Sequence, residues 1–98
     1  MPSELEEILT GYPNVQDICV TPADDAELGQ RICECILPKN GADREQFALQ
    51  NVRRYLAERN LASFKLPDQV MLVNEMPLTK VGKIDRQKLR KLAEKTGK

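Results

Sequence analysis

Ninety-eight residues, 41% of them apolar, suit one domain with a single core and are too few to enclose a nucleotide and an organic acid unaided. No stretch approaches the roughly 20 apolar residues of a membrane span, and the N-terminus lacks the basic flank and apolar run of a signal peptide, so the expectation is a cytoplasmic protein without a membrane partner. The formal net charge of zero hides an asymmetry: residues 1–30 hold seven acids and no Lys or Arg, while residues 80–98 hold eight Lys or Arg against two acids.

Ser3 and Glu6 have capping-box spacing, acids at 4, 6 and 7 favour the positive end of a helix dipole, and Leu5, Ile8 and Leu9 recur at helical spacing. These features predict a helix over about 4–10, stopped at Gly11. Val15 to Val20 reads as a first strand, mostly buried through Ile18, Cys19 and Val20. Residues 21–29 combine Pro22, Asp24, Asp25 and Gly29 without an apolar period and read as an exposed connection. Arg31 to Leu37 is a second strand, ended by Pro38-Lys39-Asn40-Gly41.

Asp43, with Gln46 three residues on, is the expected N-cap of the longest helix, over about 44–59, with Ala48, Val52, Tyr55 and Leu56 as its apolar stripe. Asn60, Ser63 and Pro67 break it. Val70 to Val73 is a third strand, and Ile84, Leu89, Leu92 and Ala93 line a final helix. The predicted fold is α/β, a two-layer small domain with a three-stranded sheet packed against helices in the order α-β-β-α-β-α. Cys19, Cys33 and Cys35 form no paired framework, and without histidine they complete no metal set; they read as reduced, buried side chains, with Cys33 and Cys35 on one strand face.

The segment that carries chemistry is Pro77-Leu78-Thr79-Lys80-Val81-Gly82-Lys83-Ile84-Asp85-Arg86. Gly82 lets the backbone adopt conformations closed to other residues, and Lys83 sets a compact point charge on a flexible stem beside it. The pairing suits a mobile cation that reaches an anion. It is no Walker motif, because the spaced upstream glycine and the following Ser or Thr are missing. The basic residues further on, Lys88, Arg90, Lys91, Lys95 and Lys98, read as a solvated helix face or tail.

Taken together, the motifs resemble the C-terminal domain of the adenylate-forming superfamily: acyl-CoA synthetases, nonribosomal peptide adenylation domains and luciferases. Pro2 to Leu9, Tyr12-Pro13-Asn14-Val15 and Asp17 to Val20 resemble the opening of that domain. Asp24 to Gly29 is similar to its D-x-x-x-G turn, Tyr55-Leu56 to Pro67 to its helix followed by x-[YF]-K-[LIV]-P, and Pro77 to Arg86 to its terminal P-x-T-x-x-G-K-[IV]-D-[RK] signature. The stretch Ala57 to Asp68 looks most like members that activate aryl acids, such as dihydroxybenzoate, or cyclic and short-chain acids.

This resemblance implies that residues 1–98 are the C-terminal lid of an acid–thiol ligase, joined in cis to a large ATP-binding domain absent from this sequence. In such a ligase a carboxylate attacks the α-phosphate of Mg-ATP, and the acyl-adenylate passes to the thiol of CoA or of a phosphopantetheinyl carrier protein. ATP and Mg²⁺ would be held mainly by the missing domain, so the isolated domain is expected to be inactive. Lys83 aligns with the lysine of the first step, with Gly82, Thr79, Asp85 and Arg86 supporting its loop; no metal ligand is expected here. A different reading is a stand-alone binding module that docks on a separate adenylation subunit or a carrier protein. Nucleic acid is not an expected partner, since the four aromatics, Tyr12, Phe47, Tyr55 and Phe64, do not interleave with the basic run.

Overall fold

Strand β2 (Gly29–Pro38) contains the run Ile32-Cys33-Glu34-Cys35-Ile36, and its central residues are closed to solvent on both faces. Such continuous burial marks a central strand covered by helices on either side. A computed structural model describes residues 4–25, 27 and 29–96 and gives that arrangement. Strand β1 (Val15–Asp25) pairs antiparallel with β2, and strand β3 (Gln69–Leu72) pairs parallel with it, in the order β1-β2-β3. The parallel pairing needs a crossover, supplied by a 3₁₀ turn over Arg44–Phe47, helix α2 (Leu49–Glu58) and a second 3₁₀ turn over Ser63–Lys65. Before β1 lies helix α1 (Glu4–Leu9), and the helix nearest the C-terminus, α3, spans Arg86–Thr96.

Alternation along the strands divides the core in two. Ile18, Val20, Ile32, Ile36, Val70 and Leu72 meet Leu5 and Leu9 of α1, Val52 and Leu56 of α2, and Phe47. On the opposite face Cys19, Ala23, Cys33, Cys35 and Met71 meet Leu89 and Ala93 of α3 and Met76. The α/β class, the three strands and the order of elements stand as read from the sequence. The expected two layers gain a third, because α3 covers the face that α1 and α2 leave open. Its smallest contact residue, Ala93, lets it lie close over the cysteines. All three cysteines are free and buried, with Cys33 and Cys35 on the same face.

Three expectations change in detail. Residues 21–25 continue β1 instead of forming an exposed connection: Thr21 and Ala23 are buried beneath α3, and Pro22 sits exposed on an edge strand, where a missing N–H is tolerated. The helix expected over 44–59 comes in two pieces, broken at Ala48, whose ψ of 144° is extended. Asp43 caps the 3₁₀ turn by accepting from Glu45 N at 2.9 Å, but Gln46 does not return a capping-box bond; its Nε2 donates to Pro13 O and its Oε1 accepts from Asn14. The first helix ends at Leu9, and the Ser3 expected to cap it lies outside the described residues.

Arg31, buried at 8% exposure, ties the layers together: it donates to Gln69 Oε1, Asp24 O and Ala93 O, each at 2.9 Å. One guanidinium thus joins β1, β3 and the last turn of α3. Its fixed fork of donors suits a site where three acceptors converge.

Candidate functional site

Lys83 lies in a short hairpin between β3 and α3, where the sequence reading expects the edge of a loop. The hairpin closes in rungs: Leu78 bridges Ile84, Asp85 N donates to Pro77 O at 2.8 Å, and Thr79 N donates to Lys83 O at 2.7 Å. At the tip, Gly82 N donates to Thr79 O at 3.0 Å, enclosing Lys80 and Val81 in a turn. Gly82 follows with φ +84°, the left-handed residue that a three-residue hairpin loop requires. A Cβ there would meet nothing within 4 Å, so glycine serves the backbone angle and not a close approach.

The supporting residues converge on this hairpin. Thr79 Oγ1 accepts from Lys83 N at 3.3 Å, holding the residue that bears the cation by its own backbone. Ile84 packs against the core beneath α3, and Asp85 Oδ1 accepts from Lys88 N at 3.1 Å, a cap for the first turn of that helix. Arg86 donates through Nη1 to Val20 O at 3.0 Å and approaches Glu6 Oε2 at 3.8 Å through Nη2, so the hairpin base is stapled across the edge of β1 to α1. Pro77 supplies the carbonyl of the last rung and does not end the strand, which stops at Leu72. Ile84, expected on the last helix, lies on the hairpin instead.

The result is a cation aimed outward from a fixed base. Lys83 is exposed, and its ammonium makes no ion pair or hydrogen bond with any described residue. The rest of the basic C-terminal end behaves differently. Arg90 pairs with Asp24 at 3.0 Å and Glu94 at 3.3 Å, while Lys88 and Lys91 face solvent on α3. Leu78 and Val81, 61% and 79% exposed, stand on the same hairpin, and the motif reading assigns them nothing. The signal that marks them is one apolar residue within the turn and one just before it, among Thr, Lys and Gly.

Glu34 also lies outside the motif reading. It is fully buried on β2, neither carboxyl oxygen has a hydrogen-bond partner among the described residues, and burial, with Glu6 and then Cys33 adding to it, pushes its carboxyl up to about 9. It is therefore a neutral acid near pH 7. Its mark in the sequence is one carboxylate inside an apolar strand run. Burial likewise lifts the Cys19 thiol to about 11, and Cys35 is raised by its hydrogen bond to Cys33 and by burial, while the same hydrogen bond lowers Cys33.

The hairpin thus carries an exposed lysine on a glycine-closed turn, set on a small three-layer α/β domain. Residues 4–83 match the AMP-binding enzyme C-terminal domain, and the chain belongs to that family. It is 37% identical over 87 residues to salicylyl-CoA synthase / salicylate adenylyltransferase of Streptomyces sp, covering 89% of this chain and 15% of that protein. It is 36% identical over 87 residues to 2,3-dihydroxybenzoate-AMP ligase of Bacillus subtilis (strain 168), again covering 89% of this chain and 15% of the relative. Among solved structures, ATP-bound MatB from Rhodopseudomonas palustris superposes with a TM-score of 0.83 at 25% identity, over 99% of this chain and 18% of that one. The chain thus spans about 15% of the length of these curated relatives. No helix among the described residues is long and apolar enough to cross a membrane.

Proposed function

We propose that this chain is the mobile C-terminal lid of a cytoplasmic, ATP-dependent carboxylic acid ligase, and that Lys83 is its catalytic side chain for adenylate formation. The observation that carries the reading is the hairpin: an unpaired ammonium held outward by its own backbone, with a rigid base and an exposed tip. The family and the aryl-acid relatives support the class of reaction.

A carboxylate and the α-phosphate of ATP are both anions, and bringing them together is opposed by their charge. An ammonium between them offsets that repulsion and stabilises the charge that builds on the transferring phosphorus. The carboxylate oxygen bonds to the α-phosphorus as the bond to pyrophosphate breaks, and pyrophosphate leaves. Lys83 acts by charge and position and neither takes nor gives a proton. Gly82 and Thr79 set its direction, while Asp85 and Arg86 hold the hairpin to α3 and α1. In this reading the nucleotide, Mg²⁺ and the acid are gripped mainly by a large domain in cis. A swing of the whole lid then withdraws Lys83 before the acyl group passes to the thiol of CoA or of a carrier protein.

The test is acid-dependent ATP–pyrophosphate exchange by the complete ligase against salicylate, dihydroxybenzoates and short-chain acids. The reading expects exchange with one class of acid, aryl acids first, and none from the 98-residue chain alone. Exchange by the isolated chain, or no exchange with any carboxylic acid, contradicts it.

A further inference from the structure

Asn40 and Gly41 form the middle of the turn that follows β2, and both are exposed. Ala42 N donates to Lys39 O at 3.1 Å across it, and Gly41, at φ +82°, takes the third position that a type II turn reserves for a left-handed residue. The Gly41 N–H and the Asn40 side-chain amide make no hydrogen bond with any described residue. Lys39 and Arg44, neither ion-paired with a described residue, line a hollow of about 250 Å³ together with Asn40, Gly41 and Asn74, and no acid is among its described lining residues. The other asparagines lack this combination. Asn51 donates to Glu45 O, and the N–H that follows it, that of Val52, is donated to Ala48 O at 3.1 Å. After Asn60 the Leu61 N–H is donated to Leu56 O at 3.2 Å. Asn14 donates to Gln46 Oε1 and precedes β-branched Val15, and Asn74 precedes Glu75.

We propose that Asn40 is a self-modification site, at which the Gly41 backbone nitrogen displaces the Asn40 side-chain amide and the turn gains a carboxylate. Gly41 N gives up its proton and bonds to Asn40 Cγ, the Cγ–Nδ2 bond breaks, and ammonia leaves with that proton. The product is a succinimide ring. Water then splits one of the two carbonyl–nitrogen bonds of the ring: cleavage at Cγ gives aspartate, and cleavage at the main-chain carbonyl gives isoaspartate, with the chain running through the former side chain. Ring closure turns the main chain at Asn40. Glycine at 41 supplies the freedom for that turn, and across it stands the one bond from Ala42 N to Lys39 O. Negative charge gathers on the Asn40 side-chain oxygen before ammonia leaves, and Lys39 and Arg44 around the hollow stabilise it, as they do the carboxylate that follows. Isoaspartate also adds a methylene to the main chain. In so short a turn this displaces the bond across it and the 2.8 Å bond from Lys39 N to Asn14 O, which ties the turn to the start of β1.

The inference does not depend on the role of Lys83. To test it, the folded protein is aged in buffer, sampled over time and digested. The peptide around each asparagine is then followed by mass and by methyl uptake from S-adenosylmethionine in the presence of an isoaspartate methyltransferase. The amide-to-acid mass change should accumulate at Asn40 ahead of Asn14, Asn51, Asn60 and Asn74, as a mixture of aspartate and isoaspartate, with ammonia released in equal amount. Asn40→Gln, whose longer arm requires a larger ring, should lose the reaction while its thermal unfolding midpoint stays at the wild-type value. Joint Lys39→Ala and Arg44→Ala substitution should slow the reaction about threefold, the scale of two screened surface charges. The isoaspartate form should unfold at a lower temperature than Asn40→Asp, which carries the same charge without the added methylene. No conversion at Asn40, conversion spread evenly over the asparagines, or ammonia release at the wild-type rate from Asn40→Gln overturns the proposal. An unchanged rate in the Lys39 and Arg44 double variant overturns the part given to those cations.

Discussion

Glu34 and Lys83 are both single ionisable residues flanked by residues without charge, and the fold treats them in opposite ways. Glu34 sits between Cys33 and Cys35 on the central strand, sealed from water with neither oxygen hydrogen-bonded to a described residue. Lys83 sits between Gly82 and Ile84, with its backbone held by Thr79 and its ammonium unpaired among the described residues. The buried acid loses its charge and weakens the domain as pH rises, because nothing compensates it. The Lys83 side chain, by contrast, stands in solvent. The contrast separates a group that governs stability from one left open to solvent, to which the proposed function assigns the chemistry, and substitutions sharpen it.

The largest stability effect belongs to Glu34. Its folded value, about 9, lies above the ordinary 4.5, so the carboxyl holds a proton more tightly folded than unfolded. Its contribution to stability is fully present below about pH 4.5 and is lost as pH rises through about 9. Glu34→Gln removes this dependence: denaturant titrations should show the variant level with wild type near pH 4.5 and more stable by about 3 kcal/mol at pH 7. Parallel stability curves across that range would mean that the acid is compensated. Arg31→Met comes next, since it leaves three carbonyl or amide oxygens at the junction of β1, β3 and α3 without their charged donor. A loss of about 2 kcal/mol is expected in the same titration.

Changes at the hairpin should move stability little and activity more. Gly82→Ala forces an L residue to φ +84°, a strain of about 1 kcal/mol. The hairpin relieves it by turning Lys83, so pyrophosphate exchange falls while the unfolding midpoint shifts by only a few degrees. Lys80→Ala is expected to be the mildest, changing exchange less than about twofold, because an exposed charge contributes little once screened.

Much of this was legible in sequence, for reasons that differ by element. The order of helices and strands followed from apolar period and turn residues, and the lysine segment stood out because Pro77, Thr79, Gly82, Lys83 and Asp85 recur together in one family signature. Strand β1 beyond Val20 was hidden by Pro22 and two aspartates, which read as loop residues but are tolerated on an edge strand with one wet face. The break at Ala48 has no side-chain signal: alanine favours a helix, and the geometry there comes from packing Phe47 into the core. The third layer depends on which face α3 covers, a matter of tertiary packing that period alone does not encode. Glu34 and the exposed Leu78 and Val81 are visible only as residues whose polarity contradicts their place.

The central claim is that Lys83 serves one half-reaction. The most direct measurement compares wild type, Lys83→Ala and Lys80→Ala in the complete ligase, following adenylate formation and thiolation of supplied acyl-adenylate separately. Lys83→Ala should slow adenylate formation by roughly 10²-fold, the scale of losing one preorganised charge-stabilising group, and leave thiolation nearly unchanged, with Lys80→Ala close to wild type in both. Equal and mild effects of the two lysine substitutions, or equal losses in both half-reactions for Lys83→Ala, would contradict it.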